Sequence, residues 1–197
     1  MKILVTGFEP FGGESVNPSW EAVQLLPDTM DNIEIIKLCL PTEFIRAEEV
    51  LLEAIAAHSP RAVICTGQAA GRSAISVERV AINLRDASIP DNAGFKPVDS
   101  EVFPYGNAAY FVTLPVKAMM EAVKAAGLPA ELSLSAGAYV CNDVLYTLLH
   151  SGTRGGFIHL PLSPQQTAAK DPQPPCMEIS DMAKGLQAAI EAAVKNK

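Results

Sequence analysis

Lys2-Ile-Leu-Val-Thr6, closed by Gly7, is a short apolar run that reads as a buried strand. A loop follows, Phe8-Glu-Pro-Phe-Gly-Gly-Glu-Ser-Val16. Asn17-Pro18 then opens a helix, with Asn as N-cap and Pro at the first helical position, and Trp20, Val23 and Leu26 continue it at helical spacing. Ile33 to Leu40 is a second strand, stopped by Pro41. Glu43 to Ala57 repeats apolar residues at helical intervals, and Ala62-Val-Ile-Cys-Thr66 is a third apolar strand, again ending at a glycine, Gly67. This alternation predicts an α/β fold: one domain over residues 1–197, with a twisted, mostly parallel central sheet and helices on both faces.

The later segments fit the same plan. Ile75 to Leu84 alternates like a strand, and residues 85–113 are irregular, with turn signals at Pro90-Asp-Asn-Ala-Gly94 and Pro104-Tyr-Gly106. Pro115 to Ala126 reads as a helix closed by Gly127, and Leu132 to Ala136 as a strand. Gly156-Phe-Ile-His-Leu-Pro161 is a short strand, residues 162–176 a Pro/Gln-rich loop, and Glu178 to Lys195 a closing helix. Sites in such sheets lie beyond the carboxyl ends of the strands, which groups the regions of Gly7, Gly67, Cys141 and Pro161.

Composition narrows the class. A net charge of −7 argues against nucleic acid or an anionic membrane surface as partner. No run approaches the roughly 20 apolar residues that span a bilayer, and the first apolar run is too short for a signal peptide. The four cysteines, Cys39, Cys65, Cys141 and Cys176, form no CxxC pair, which fits reduced thiols in a cytoplasmic protein better than a disulfide frame or a zinc site.

One stretch carries a nucleophile's signature: Ser135-Ala-Gly-Ala-Tyr-Val-Cys141-Asn-Asp-Val-Leu-Tyr146. It reads as a small-residue turn and a helix opening at Cys141. There, unpaired backbone N–H groups and the positive end of the helix dipole favour thiolate. The alternative is a packed, inert cysteine.

A nucleophilic cysteine needs a base, and the chain has three histidines. His58 closes a helix, where capping suffices. His150 lies on the helix of Cys141 but about 13 Å further along its axis. His159, at the carboxyl end of a strand, remains; its alternative is a packed core histidine. Glu78 sits on an apolar strand face and needs a partner. That partner is either Arg79 or another arginine, or else His159, which would complete a Cys-His-Glu arrangement. Asp91 and Asp99 are weaker rivals for orienting the imidazole. The glycine-rich Thr6-Gly-Phe-Glu-Pro-Phe-Gly-Gly13 matches no nucleotide fingerprint, and Pro10 interrupts any amide cradle. Phe8 and Phe11 either wall a small pocket or pack their loop. Gln68, after another strand end, either bonds a ligand amide or holds its own loop.

These stretches, with Asn17-Pro-Ser19, Thr66-Gly-Gln-Ala-Ala-Gly71, Glu78-Arg-Val-Ala-Ile-Asn83 and Ile89-Pro-Asp-Asn-Ala-Gly94, occur in an order that resembles the pyrrolidone carboxyl peptidase (pyroglutamyl peptidase I) family of cysteine peptidases along nearly the whole chain. The resemblance implies a hydrolase that removes N-terminal pyroglutamate from peptides through a thioester. It implies Cys141 as nucleophile, His159 as base and Glu78 as its orienter. Phe8 and Phe11 would flank the pyroglutamyl ring, Gln68 would lie in the site, and Asn17 would hold the pocket loop. It further implies a cytoplasmic homo-oligomer, a tetramer in several members, needing no metal or cofactor. One position departs from the pattern: many similar sequences read Asp-Ala-Arg-Ile-Pro where this one reads Asp86-Ala-Ser-Ile-Pro90, so an arginine is missing at Ser88. Arg85 is the nearest substitute, although strand alternation would turn it to the other face.

Overall fold

The computed structural model describes residues 1–195. In chain order the elements are β1 (Lys2–Phe8), α1 (Pro18–Gln24), β2 (Thr29–Met30), β3 (Ile33–Leu40), α2 (Arg46–His58), β4 (Ala62–Gln68), β5 (Ile75–Glu78), β6 (Val80–Ile82), β7 (Ala109–Phe111), α3 (Val116–Ala125), β8 (Ala130–Ser133), α4 (Val140–His150), β9 (Gly155–Leu160), α5 (Pro164–Thr167) and α6 (Ile179–Lys195). Seven strands form one sheet in the order β2-β3-β1-β4-β9-β5-β8, and β6 and β7 form a separate antiparallel pair. The strands β3, β1, β4 and β9 run parallel, β5 is antiparallel to β9, and β8 is parallel to β5.

Apolar side chains on the two faces of this sheet make two cores. One packs Ile3, Val5, Ile64 and Ile158 against α1, α3 and α6, with Val23, Val123 and Leu186 among the helix residues. The other packs Leu4, Val63, Cys65 and Phe157 against α2 and α4, with Leu51, Val144 and Leu148. Successive residues of a strand face opposite sides. The parity of Phe157 and Cys65 therefore sends His159 and Gly67 to the α4 side. Where β1 ends, Gly7 admits α1 at backbone contact: a Cβ at Gly7 would lie 2.6 Å from both Cα and N of Trp20. The Asn17 cap is as read from sequence, its side chain accepting from the Ser19 N–H.

Three expectations are corrected. The strand expected from Ile75 to Leu84 is two strands in two sheets. The chain leaves the main sheet at Arg79, whose N–H donates to Ser133 and whose carbonyl accepts from Val112. The same apolar alternation serves both sheets, so pattern alone does not register the change. The strand expected over Leu132–Ala136 ends at Ser133. Ser133 Oγ donates to the Ser135 carbonyl and accepts its N–H, and Ser135 Oγ accepts from Gly137, so serine side chains supply the turn that replaces the ladder. A short helix, α5, also lies within the stretch read as a loop.

Candidate active site

His159 stands opposite Gly67 of β4 on one side and Ser76 of β5 on the other. Glu78, two residues beyond Ser76 and on the same face, is its diagonal neighbour across the antiparallel pair. Glu78 Oε1 meets His159 Nδ1 at 2.7 Å, and both side chains are buried, Glu78 completely. The same oxygen accepts a 2.8 Å bond from Arg72, whose guanidinium also donates to the Ser135 carbonyl at 3.1 Å. The two sequence readings of Glu78 thus hold together: it orients the histidine and pairs with an arginine, Arg72 and not Arg79. With Nδ1 donating to the carboxylate, the proton of a neutral imidazole is on Nδ1, and Nε2 keeps its lone pair. Desolvation holds His159 below the usual histidine range against the pull of Glu78.

Cys141 is the second residue of α4 and half-buried. The strand that precedes it, β8, is separated from β9 by β5, so Cys141 and His159 follow from strands that are not adjacent. Residues 134–139 carry the chain to the cavity wall, pinned by Arg72 at Ser135. The thiol then sits over Gly67. A Cβ there would lie 2.8 Å from Cys141 Sγ and 2.8 Å from Phe157 Cζ. Gly67 is opposite His159, so the glycine opens the space the sulfur needs beside the histidine's strand.

The expected thiolate bias of the helix start is overridden. Burial first, then the Glu78 carboxylate, push the Cys141 thiol up to about 12, while Arg72 and the residue's own backbone N–H pull the other way. Burial thus favours the thiol and the neutral imidazole.

Cys141 and His159 line a cavity of about 480 Å³ together with Phe8, Phe11, Asn17 and Gln68. Phe8 both packs and lines: it is buried against Phe157, ring centroids 6.5 Å apart, and contributes to the wall. Phe11 is half-buried beside Tyr139, centroids 5.9 Å apart. The polar atoms of Asn17 are spent on the loop, Nδ2 donating to the Glu9 carbonyl and Oδ1 accepting from Ser19 N and Oγ. Gln68 Oε1 accepts a 2.9 Å bond from Gln166. Glu78 does not line the cavity but stands behind His159.

Sequence reasoning missed Arg72, Thr42, Tyr139 and Gln166. Only Arg72 carried a signal, as a cation at the end of the loop that follows β4. The rivals for orienting the histidine fall away: Asp91 accepts from the N–H groups of Phe44, Ala93 and Phe95, and Asp99 is exposed. His150 bonds Tyr110 and stacks on Phe103. Ser88 is exposed. Arg85 does not replace the missing arginine, because it is held by Glu48 and Asp143. No cluster of His, Cys, Asp and Glu suited to a metal occurs among the described residues. No helix among them is long and apolar enough to cross a membrane.

The family model for pyroglutamyl peptidase matches residues 1–196. The chain belongs to the pyroglutamyl peptidase family. A pyrrolidone-carboxylate peptidase of Clostridium botulinum is 50% identical over 202 residues, covering 100% of this chain and 94% of its own length. One from Thermococcus kodakarensis is 51% identical over 197 residues, covering 97% of this chain and 95% of its own. The crystal structure of Bacillus amyloliquefaciens pyroglutamyl peptidase I superposes with a TM-score of 0.94 at 44% identity, covering 99% of this chain and 97% of that one.

Gly67→Ala tests the packing of the thiol. The added methyl must displace Sγ or the buried Phe157 ring, costing about 1–3 kcal/mol of stability. A thiol shifted by about 1 Å loses roughly 100-fold in kcat/KM on a pyroglutamyl amide. Thermal melting and steady-state hydrolysis measure the two, and full activity in a folded variant would contradict the placement of the sulfur.

Proposed function

We propose that this chain acts as one catalytic domain that hydrolyses the bond after an N-terminal pyroglutamyl residue, with Cys141 as nucleophile, His159 as base and Glu78 as the group that orients the imidazole. The observation that carries this reading is the Nδ1 bond of His159 to the buried Glu78, which leaves Nε2 available as a base in the cavity that Cys141 lines. Pyroglutamate is compact, neutral and without a free amine. A cavity walled by Phe8 and Phe11 supplies apolar contact, and amide partners such as Gln68 supply identity.

In the proposed mechanism His159 Nε2 takes the thiol proton as Sγ attacks the pyroglutamyl carbonyl. The N–H of Cys141, which donates to no carbonyl among the described residues, is the donor assigned to the developing oxyanion in this mechanism. Such a donor is typically worth about 3–4 kcal/mol. His159 then gives the proton to the leaving amine as the thioester forms. It next takes a proton from water, and hydroxide attack releases pyroglutamate and restores the thiol. Arg72 pairs with Glu78 and brings the compensating charge for the buried carboxylate.

The resemblance also supports a cytoplasmic homotetramer, for which the mass in solution by light scattering is the measure; a monomer would remove that part of the proposal.

Release of a chromogenic amine from a pyroglutamyl amide, beside the matching prolyl amide, tests substrate and nucleophile together. Wild type is expected to cleave only the pyroglutamyl compound, and Cys141→Ser to lose at least about 1,000-fold. Comparable turnover in that variant would exclude Cys141.

The pH profile tests the resting protonation state. His159 must be neutral to act, and its pKa is lowered, so the acid limb of kcat/KM lies below 6.5. Activity falls as pH drops through that limb. The thiol ionises near 12, so a thiolate-driven rise is absent up to about pH 10. An acid limb above 7 would contradict both assignments.

A further inference from the structure

Gln166, in α5, is 6% exposed, and its side-chain amide is fully engaged. One atom faces the backbone N–H of Ser163 at 3.1 Å and its hydroxyl at 3.3 Å. The other faces the Val16 carbonyl at 3.3 Å and the Gln68 side chain at 2.9 Å. Backbone groups fix which atom is which. The Ser163 N–H can only donate, so it meets Oε1; the Val16 carbonyl can only accept, so it meets Nε2. The Gln68 atom facing Nε2 must then accept, so it is Oε1. Gln68 lines the cavity, and the atom left to it is Nε2, a donor without a protein partner among the described residues.

We propose that Gln166 is a positioning residue for specificity: by occupying Gln68 Oε1 it commits Gln68 Nε2 to the cavity as a hydrogen-bond donor for the lactam carbonyl of the substrate ring. The proposal rests on the pyroglutamyl reading and deepens it. N-terminal proline has the same five-membered ring, but a methylene replaces the carbonyl and the amine is cationic. A fixed donor finds no acceptor there and faces a charge of its own sign, so proline is disfavoured twice. Without Gln166, the Gln68 amide turns freely and presents oxygen as readily as nitrogen. The three anchors of Gln166 come from the N-cap of α5, the loop after β1 and the end of β4, so three separate segments set one amide's orientation.

The test is a double-mutant cycle on Gln166→Glu and Gln68→Leu, read by KM and kcat on a pyroglutamyl anilide, by the inhibition constant of 2-pyrrolidone, and by thermal melting. A carboxylate at position 166 still accepts from Ser163 but cannot donate, so Gln68 must turn Nε2 toward it and offer Oε1 to the lactam oxygen. KM and the 2-pyrrolidone constant are expected to rise about tenfold or more, kcat to fall less, and the substitution to add nothing once Gln68 is leucine. Unchanged 2-pyrrolidone affinity in Gln166→Glu, or an equal loss in both backgrounds, would overturn the proposal, the latter assigning Gln166 a purely structural role. If Gln166→Glu does not fold, Gln166→Met enters the same cycle: it frees Gln68 without reversing it, so a smaller rise that again vanishes beside Gln68→Leu is expected. A folded wild type that cleaves no pyroglutamyl amide would instead remove the underlying reading, whereas wild-type cleavage with a flat cycle removes only the role of Gln166.

Discussion

A single carboxylate oxygen, Glu78 Oε1, organises the catalytic half of this molecule. The side chain is completely buried, and an isolated charge at that depth would cost several kcal/mol. Its two partners do different things. The imidazole of His159 gains a fixed tautomer, and the guanidinium of Arg72 brings a compensating charge and ties down Ser135 through its other nitrogen. That second bond matters because residues 134–139 are the turn that leads from β8 into α4. The base is thus aimed, and the turn before the nucleophile anchored, from one point. The antiparallel entry of β5 beside β9 makes this possible, since it sets Glu78 diagonal to His159 on the face that α4 covers.

The same burial decides the protonation state of the pair. A helix N-terminus favours thiolate, yet the thiol lies in an apolar recess with the Glu78 charge nearby, and those effects win. Desolvation likewise favours neutral imidazole. Burial thus favours the uncharged form of both groups, and the proposed mechanism accordingly moves the proton during attack and not before it.

Much of this was legible in the sequence because it is local. The Asn17-Pro18 cap, the apolar runs of β1, β3 and β4, and the small-residue stretch before Cys141 are each read within a few residues. His159 emerges once His58 is assigned to a helix cap and His150 is excluded by its distance along the helix of Cys141. What stayed hidden was long-range. Nothing in Ile75 to Leu84 marks Arg79 as the point where the chain changes sheets, because both sheets want the same alternation. Nothing places β5 between β8 and β9. Arg72 and Gln166 act through partners distant in sequence, and a lone arginine or a glutamine in a Pro/Gln-rich stretch carries no spacing to betray it. The thiol's protonation state was misread for a related reason: the helix start is local and visible, whereas the depth of burial depends on Gly67 and Phe157.

The departure at Ser88 gains its meaning from where the two nearby arginines go. Arg85 is held between Glu48 on α2 and Asp143 on α4, two residues beyond the nucleophile. Burial, then the neighbouring Glu48, push the Asp143 carboxyl up to about 8 despite that arginine. The cluster clamps the first turn of α4 from behind, with two carboxyl groups gathered around one guanidinium. Moving Arg85 toward the cavity to replace the missing arginine would leave that pair unpartnered, a loss of several kcal/mol. Arg72 is already spent on Glu78 and Ser135. The proposed mechanism consequently assigns oxyanion stabilisation to the backbone at the opening of α4, whose position both arginines serve to hold.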